Sequence, residues 1–122
     1  MYDGPLLKIV GTTHCSKDQQ KVYRQLNTDQ YVVLQQDPFN EHDRNAIKVH
    51  APVFFEDDEG PHAKLVRIGF IKKELTGGVH DAWKGQKGSH YVCRVVEGRL
   101  LQPLYTLDKE ALVKFFRGLY GT

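Results

Sequence analysis

The 122-residue chain is predicted to fold as one mainly β domain, a small barrel of five to six strands with one central helix and a C-terminal helix. Three observations lead there. Short apolar or alternating runs, rich in β-branched and aromatic residues, recur between turn-forming clusters. Helical spacing appears in only a few places. Strands and helices do not alternate in the way that builds a parallel sheet.

Residues 6–13 are apolar and β-branched, a first strand. Residues 16–25 are polar, and Val22, Tyr23 and Leu26 make one thin apolar stripe, compatible with a short helix or a long turn. Residues 31–36 form a second strand and 46–54 a third. Pro52 lacks an N–H, so the end of that third strand is expected at a sheet edge or a bulge. Residues 56–62 read as an exposed loop, with four acids in Glu56-Asp57-Asp58-Glu59. Residues 64–71 form a fourth strand, with Val66, Ile68 and Phe70 alternating against Leu65, Arg67, Gly69 and Ile71.

Leu75, Val79 and Trp83 then recur at helical spacing. Gly77 and Gly78 each weaken that helix by about 1 kcal/mol relative to alanine, so it depends on packing. A fifth strand spans 90–96, Glu97-Gly98-Arg99 turns the chain, and a sixth spans 100–107. Asp108 is suited to cap a final helix whose stripe is Ala111, Leu112, Phe115, Phe116 and Leu119, with Gly118 and Gly121 at its end.

At 40% hydrophobic and 26% charged, the composition is that of a globular domain able to bury a core without staples. No apolar run is long enough to span a bilayer, and the first residues lack a signal peptide's basic start and apolar centre. Cys15 and Cys93 are far apart and outside any Cys-x-x-Cys pair, which predicts reduced thiols and an intracellular setting. A net charge of +2 is low for a protein that would hold a long duplex by many phosphate contacts. With the acidic loop set aside, the remaining surface is basic.

The densest local signal is Asp37-Pro38-Phe39-Asn40-Glu41-His42-Asp43-Arg44-Asn45-Ala46-Ile47-Lys48, which joins a turn-forming cluster directly to a strand. A hairpin needs two or three such residues. The surplus of carboxylate, amide, imidazole and phenyl groups reads as a small polar pocket with aromatic walls. A second signature follows at Ile68-Gly69-Phe70-Ile71-Lys72-Lys73-Glu74-Leu75.

Together these segments resemble the HIRAN domain, the DNA-end-binding module of Rad5-like and helicase-like-transcription-factor remodellers. Its pattern of acidic-Pro-x-Asn-x-x-Asp-x-Asn-Ala-Ile-x-Val is met by Asp37, Pro38, Asn40, Asp43, Asn45, Ala46, Ile47 and Val49, and the opening Ile9-Val10-Gly11 also fits. The resemblance covers residues 5–107 and leaves a helix at 108–120 as an addition. It implies an OB-like barrel that binds single-stranded DNA at its 3′ end, without catalysis or cofactor, in DNA repair or at replication forks. It also implies a remodelling ATPase or helicase as partner, in cis or in trans, and no membrane.

Carried over residue by residue, the resemblance puts Asp43 on the 3′-hydroxyl, His42 and His14 against the base, and Lys72 and Lys73 on phosphate. Phe39 and Phe70 become pocket walls, with Asn40 beside them. The chain departs from the eukaryotic pattern where His42 replaces a tyrosine, where His14 (or Thr13) replaces another, where Phe39-Asn40 stands for Asn-Asn, and where Phe70 replaces a histidine. Weaker binding and poorer discrimination of 3′ from 5′ ends are expected. Protonation of His14 and His42 is expected to tighten binding below about pH 6.5.

Other readings of the same residues stand beside this one. Asp43 suits a turn cap, Asn40 and Asn45 suit local backbone bonding, and the two phenylalanines suit a core. Lys72 and Lys73 open a helix, where cations oppose the dipole. Six histidines and two cysteines lack zinc-ligand spacing, and His90 and Cys93 face opposite sides of a strand. No Walker motif is present, and Asp37, Glu41, Asp43 and Lys48 do not match a nuclease constellation. A protein-interaction module with a vestigial DNA pocket is the alternative.

Overall fold

The computed structural model describes residues 1–120; Gly121, expected to help end the last helix, lies outside them. Six strands form a single antiparallel sheet: β1 (Ile9–Val10), β2 (Tyr31–Gln36), β3 (Ile47–Asp57), β4 (Gly60–Ile71), β5 (His90–Val96) and β6 (Leu100–Leu107). Their spatial order is β1-β4-β3-β2-β5-β6. The ladder is open, with β1 and β6 at its edges. Leu7, just ahead of β1, exchanges two 2.9 Å backbone hydrogen bonds with Leu101 of β6, so the N-terminal segment touches both edges.

Alternation along the strands sends side chains to two cores. On one face Val32, Leu34, Ile47, Val49, Ala51, Tyr91, Cys93 and Val95 pack with Val79 and Trp83 of α2 (Thr76–Lys84). On the other, Val33 and Val92 pack with Leu112 and Phe116 of α3 (Lys109–Tyr120). The middle strands β2 and β5 are therefore apolar on both sides. Gly77 and Gly78 are exposed, and α2 is held by burial of its opposite face. Trp83 lies edge-on to Tyr91 at 5.3 Å, and its Nε1 donates to the Gly88 carbonyl at 2.9 Å.

The polar stretch left open between helix and turn is a helix, α1 (Lys17–Arg24). Ser16 and Gln19 form a reciprocal capping box at its start, satisfying two backbone donors. Asp108 caps α3 as expected, its carboxylate accepting from Ala111 N at 2.8 Å. The first strand is shorter than residues 6–13, because Gly11 takes a left-handed φ of 75° and turns the chain into a 3-10 turn at Thr12–His14.

The acidic segment is also less of a loop than expected. Glu56 and Asp57 belong to β3 and pair with Pro61 and Gly60 of β4, leaving Asp58 and Glu59 as the turn. Val53, Phe54 and Phe55 carry the strand outward, and Phe54 meets Phe116 edge-on at 6.3 Å. Pro52 sits where expected. β2 pairs with β3 only as far as His50, so Pro52 lies on the part of β3 that has one neighbour, next to a register shift at Val49/His50.

Candidate nucleic-acid interface

Topology brings the eight predicted binding residues to one end of the sheet. Val10 and Lys48 both stand opposite Phe70, so the end of β1, the start of β3 and the end of β4 coincide. His14 follows β1, the loop with Phe39, Asn40, His42 and Asp43 precedes β3, and Lys72 and Lys73 follow β4. Gly69 makes this convergence possible. A Cβ there would lie 2.6 Å from the Val10 carbonyl oxygen and 2.8 Å from Ile9 Cγ2, so the glycine of the second signature admits β1.

The β2–β3 loop is folded by its own polar side chains. Asn40 Nδ2 donates to Asp37 Oδ2 at 3.0 Å, while its Oδ1 accepts from His42 N and Asp43 N at 2.9 and 3.1 Å. Asp43 Oδ1 accepts from Asn45 N at 2.9 Å. Backbone bonds from Asp37 N to Ala46 O and from Ala46 N to Asp43 O close the base. Much of the polar surplus thus holds the turn, and Asn40 is a structural residue. Asp43 keeps Oδ2 unbonded among the described residues.

Phe39 is not a pocket wall. The ring is 93% exposed, because the Asn40-centred turn leaves it at the loop tip. His14 and His42 are also exposed, and Asp43 is half-buried. Phe70 is half-buried on β4, with the Arg67 guanidinium 5.5 Å from its ring centre. Lys72 and Lys73 are exposed on the 3-10 turn before α2, which itself begins at Thr76. Their cost against the dipole of a helix start therefore does not fall on α2.

Three residues beside this end of the sheet were not singled out by the motifs. His80 of α2 bonds the Asn45 carbonyl through Nε2 at 2.9 Å, tying the loop to the helix across 35 positions with no local signal. His50 of β3 and Arg67 of β4 face each other on the side of the sheet that carries Lys48 and Phe70. The alternation of Lys48 and His50 with Ile47, Val49 and Ala51 marks His50 as outward-facing, whereas the register shift at Val49/His50 puts Arg67 on the same side as Phe70, against the alternation read along β4. Burial lowers the His50 pKa from 6.5 to about 4, with the charges of Lys48, His90 and Arg67 acting in the same direction. His50 Nδ1 and Arg67 Nε are buried with no hydrogen-bond partner among the described residues.

A separate apolar cavity of about 210 Å³ lies between α3 and the outer part of β4, lined by Leu65, Leu112, Val113 and Phe116 together with His90 and Lys109. Among the described residues no three or more His, Cys, Asp or Glu side chains are grouped to hold a metal ion. Among the described residues no helix is long and apolar enough to cross a membrane. No protein-family model matches the chain, and neither a curated protein nor a solved structure is significantly similar to it.

Proposed function

We propose that the chain is a non-enzymatic, intracellular binder of single-stranded DNA that recognises the 3′ end through the β2–β3 loop, in a repair or replication-fork context. In this reading the sheet is a distorted OB-like barrel of the HIRAN type, and the module serves a remodelling ATPase or helicase. The observation that supports it most is convergence. An exposed aromatic ring, two exposed imidazoles, a carboxylate with one unbonded oxygen and two exposed ammonium groups share one sheet end.

Each group meets one requirement of a strand terminus. Asp43 Oδ2 accepts the 3′-hydroxyl proton, Phe39 and His42 offer faces for a base, and Lys72 and Lys73 meet phosphate. Asn40 acts indirectly, by holding Asp43 and Phe39 in place. The test compares short single strands ending in 3′-hydroxyl and 3′-phosphate, with Asp43→Ala in parallel. The hydroxyl end is expected to bind more tightly, and the substitution to erase the difference. Equal affinity for both ends, unchanged by the substitution, removes end recognition.

A second reading has its own observation. The outer β3–β4 hairpin exposes Val53, Phe54 and Phe55 at 37%, 38% and 43%, beside the acidic turn. That surface suits a partner protein, with the loop site vestigial. Absence of oligonucleotide binding would favour it.

A further inference from the structure

Facing residues of antiparallel strands project from the same side of a sheet. Lys48 faces Phe70 on β4 and Gln35 on β2, while His50 faces Arg67 and Val33. Two adjacent rows therefore cross the outer face at right angles to the strands: Phe70–Lys48–Gln35 and Arg67–His50–Val33. α3 covers the Val33 and Val92 side of this face. Lys48, His50, Arg67 and Phe70 remain half-buried and begin beside the end site.

Cations outnumber carboxylates here, and Lys48 has an ion-pair partner while Arg67 has none among the described residues. Lys48, Arg67 and His90 all act on His50 as repelling cations, and Asp37 lies 3.9 Å from Lys48 Nζ. Arg67 can only donate, and its buried Nε has no acceptor among the described residues. Leaving such a donor unpaired is costly, so an acceptor from outside the chain is favoured beside Arg67. A phosphodiester meets both needs, because it is anionic and presents paired oxygens to a guanidinium fork. The neighbouring Phe70 ring, backed by Arg67, is a shelf for a base.

We infer that a bound strand runs from the β2–β3 loop onto this outer face, where Arg67 and Lys48 hold internal phosphates and Phe70 stacks a base. This rests on the end-binding reading and gives that site a length: it takes several nucleotides, not the terminal one alone.

Fluorescence anisotropy with the full chain compares a dinucleotide and a longer single strand, both with free 3′-hydroxyls. The longer strand is expected to bind about tenfold more tightly. Arg67→Gln removes that gain, leaves the dinucleotide unchanged, and makes the salt dependence shallower by about 0.7 in log–log slope for one lost contact. Arg67→Lys, which keeps the charge, restores the slope. Equal affinity for the two lengths, or an Arg67→Gln loss shared by both, overturns the inference. Asp43→Ala separates the two ideas: it weakens both lengths if the end is read, and indifference to it counts against end recognition alone.

Discussion

Replacing His50 with glutamine is expected to make the fold more resistant to acid. The ring is half-buried among Lys48, His90 and Arg67, and burial with those charges takes its pKa from 6.5 to about 4. Between these values an unfolded chain binds a proton that the native chain refuses. Stability is therefore unaffected by this group above about pH 6.5 and falls as pH drops from there towards about 4. At 1.36 kcal/mol per unit, the full interval corresponds to ~3 kcal/mol. Solvent screens a ring that is only partly buried, which reduces the expected loss to about 1–2 kcal/mol. Urea denaturation of wild type and His50→Gln, each near neutral pH and near pH 4.5, isolates the effect. Carboxylates and His90 titrate in both proteins and cancel in the comparison. Between the two pH values the variant is expected to gain about 1–2 kcal/mol on wild type. Parallel pH dependence in the two proteins would refute the reasoning.

Gly69→Ala is expected to destabilise by about 1–3 kcal/mol, because a Cβ 2.6 Å from the Val10 carbonyl oxygen forces β1 away; the urea midpoint reports it. Phe116→Ala removes a ring that is 3% exposed and contacts Phe54 and Phe115, at an expected cost of about 3–5 kcal/mol, read from the same transition. Phe39→Ala should leave stability within about 0.5 kcal/mol, since its ring is in solvent. The same substitution should weaken single-strand binding by about 1–3 kcal/mol in a titration, and unchanged affinity would take Phe39 out of the site.

Where chemistry is local, the amino-acid order was sufficient. β2, β5 and β6 lie at the residues their apolar runs indicate, and Asp108 caps α3 through a bond to a residue three places on. The capping box at Ser16 and Gln19 was equally local, and it is what makes residues 17–24 a helix where periodicity alone left helix or turn open. The motif loop was legible as a turn with surplus polar groups. Its internal economy was not, because three bonds to one Asn40 amide decide which side chains are consumed and which, like Phe39, are left outside.

Tertiary structure decided what no window of sequence contains. Strand register set His50 against Arg67 and Phe70 against Lys48, because side-chain facing depends on which residues of two distant segments pair. The bond from His80 to Asn45 and the approach of Val10 to Gly69 likewise join segments that meet only after the sheet has formed. Caps, turns and alternation are settled by neighbours in the chain, whereas burial and charge environment depend on neighbours in space.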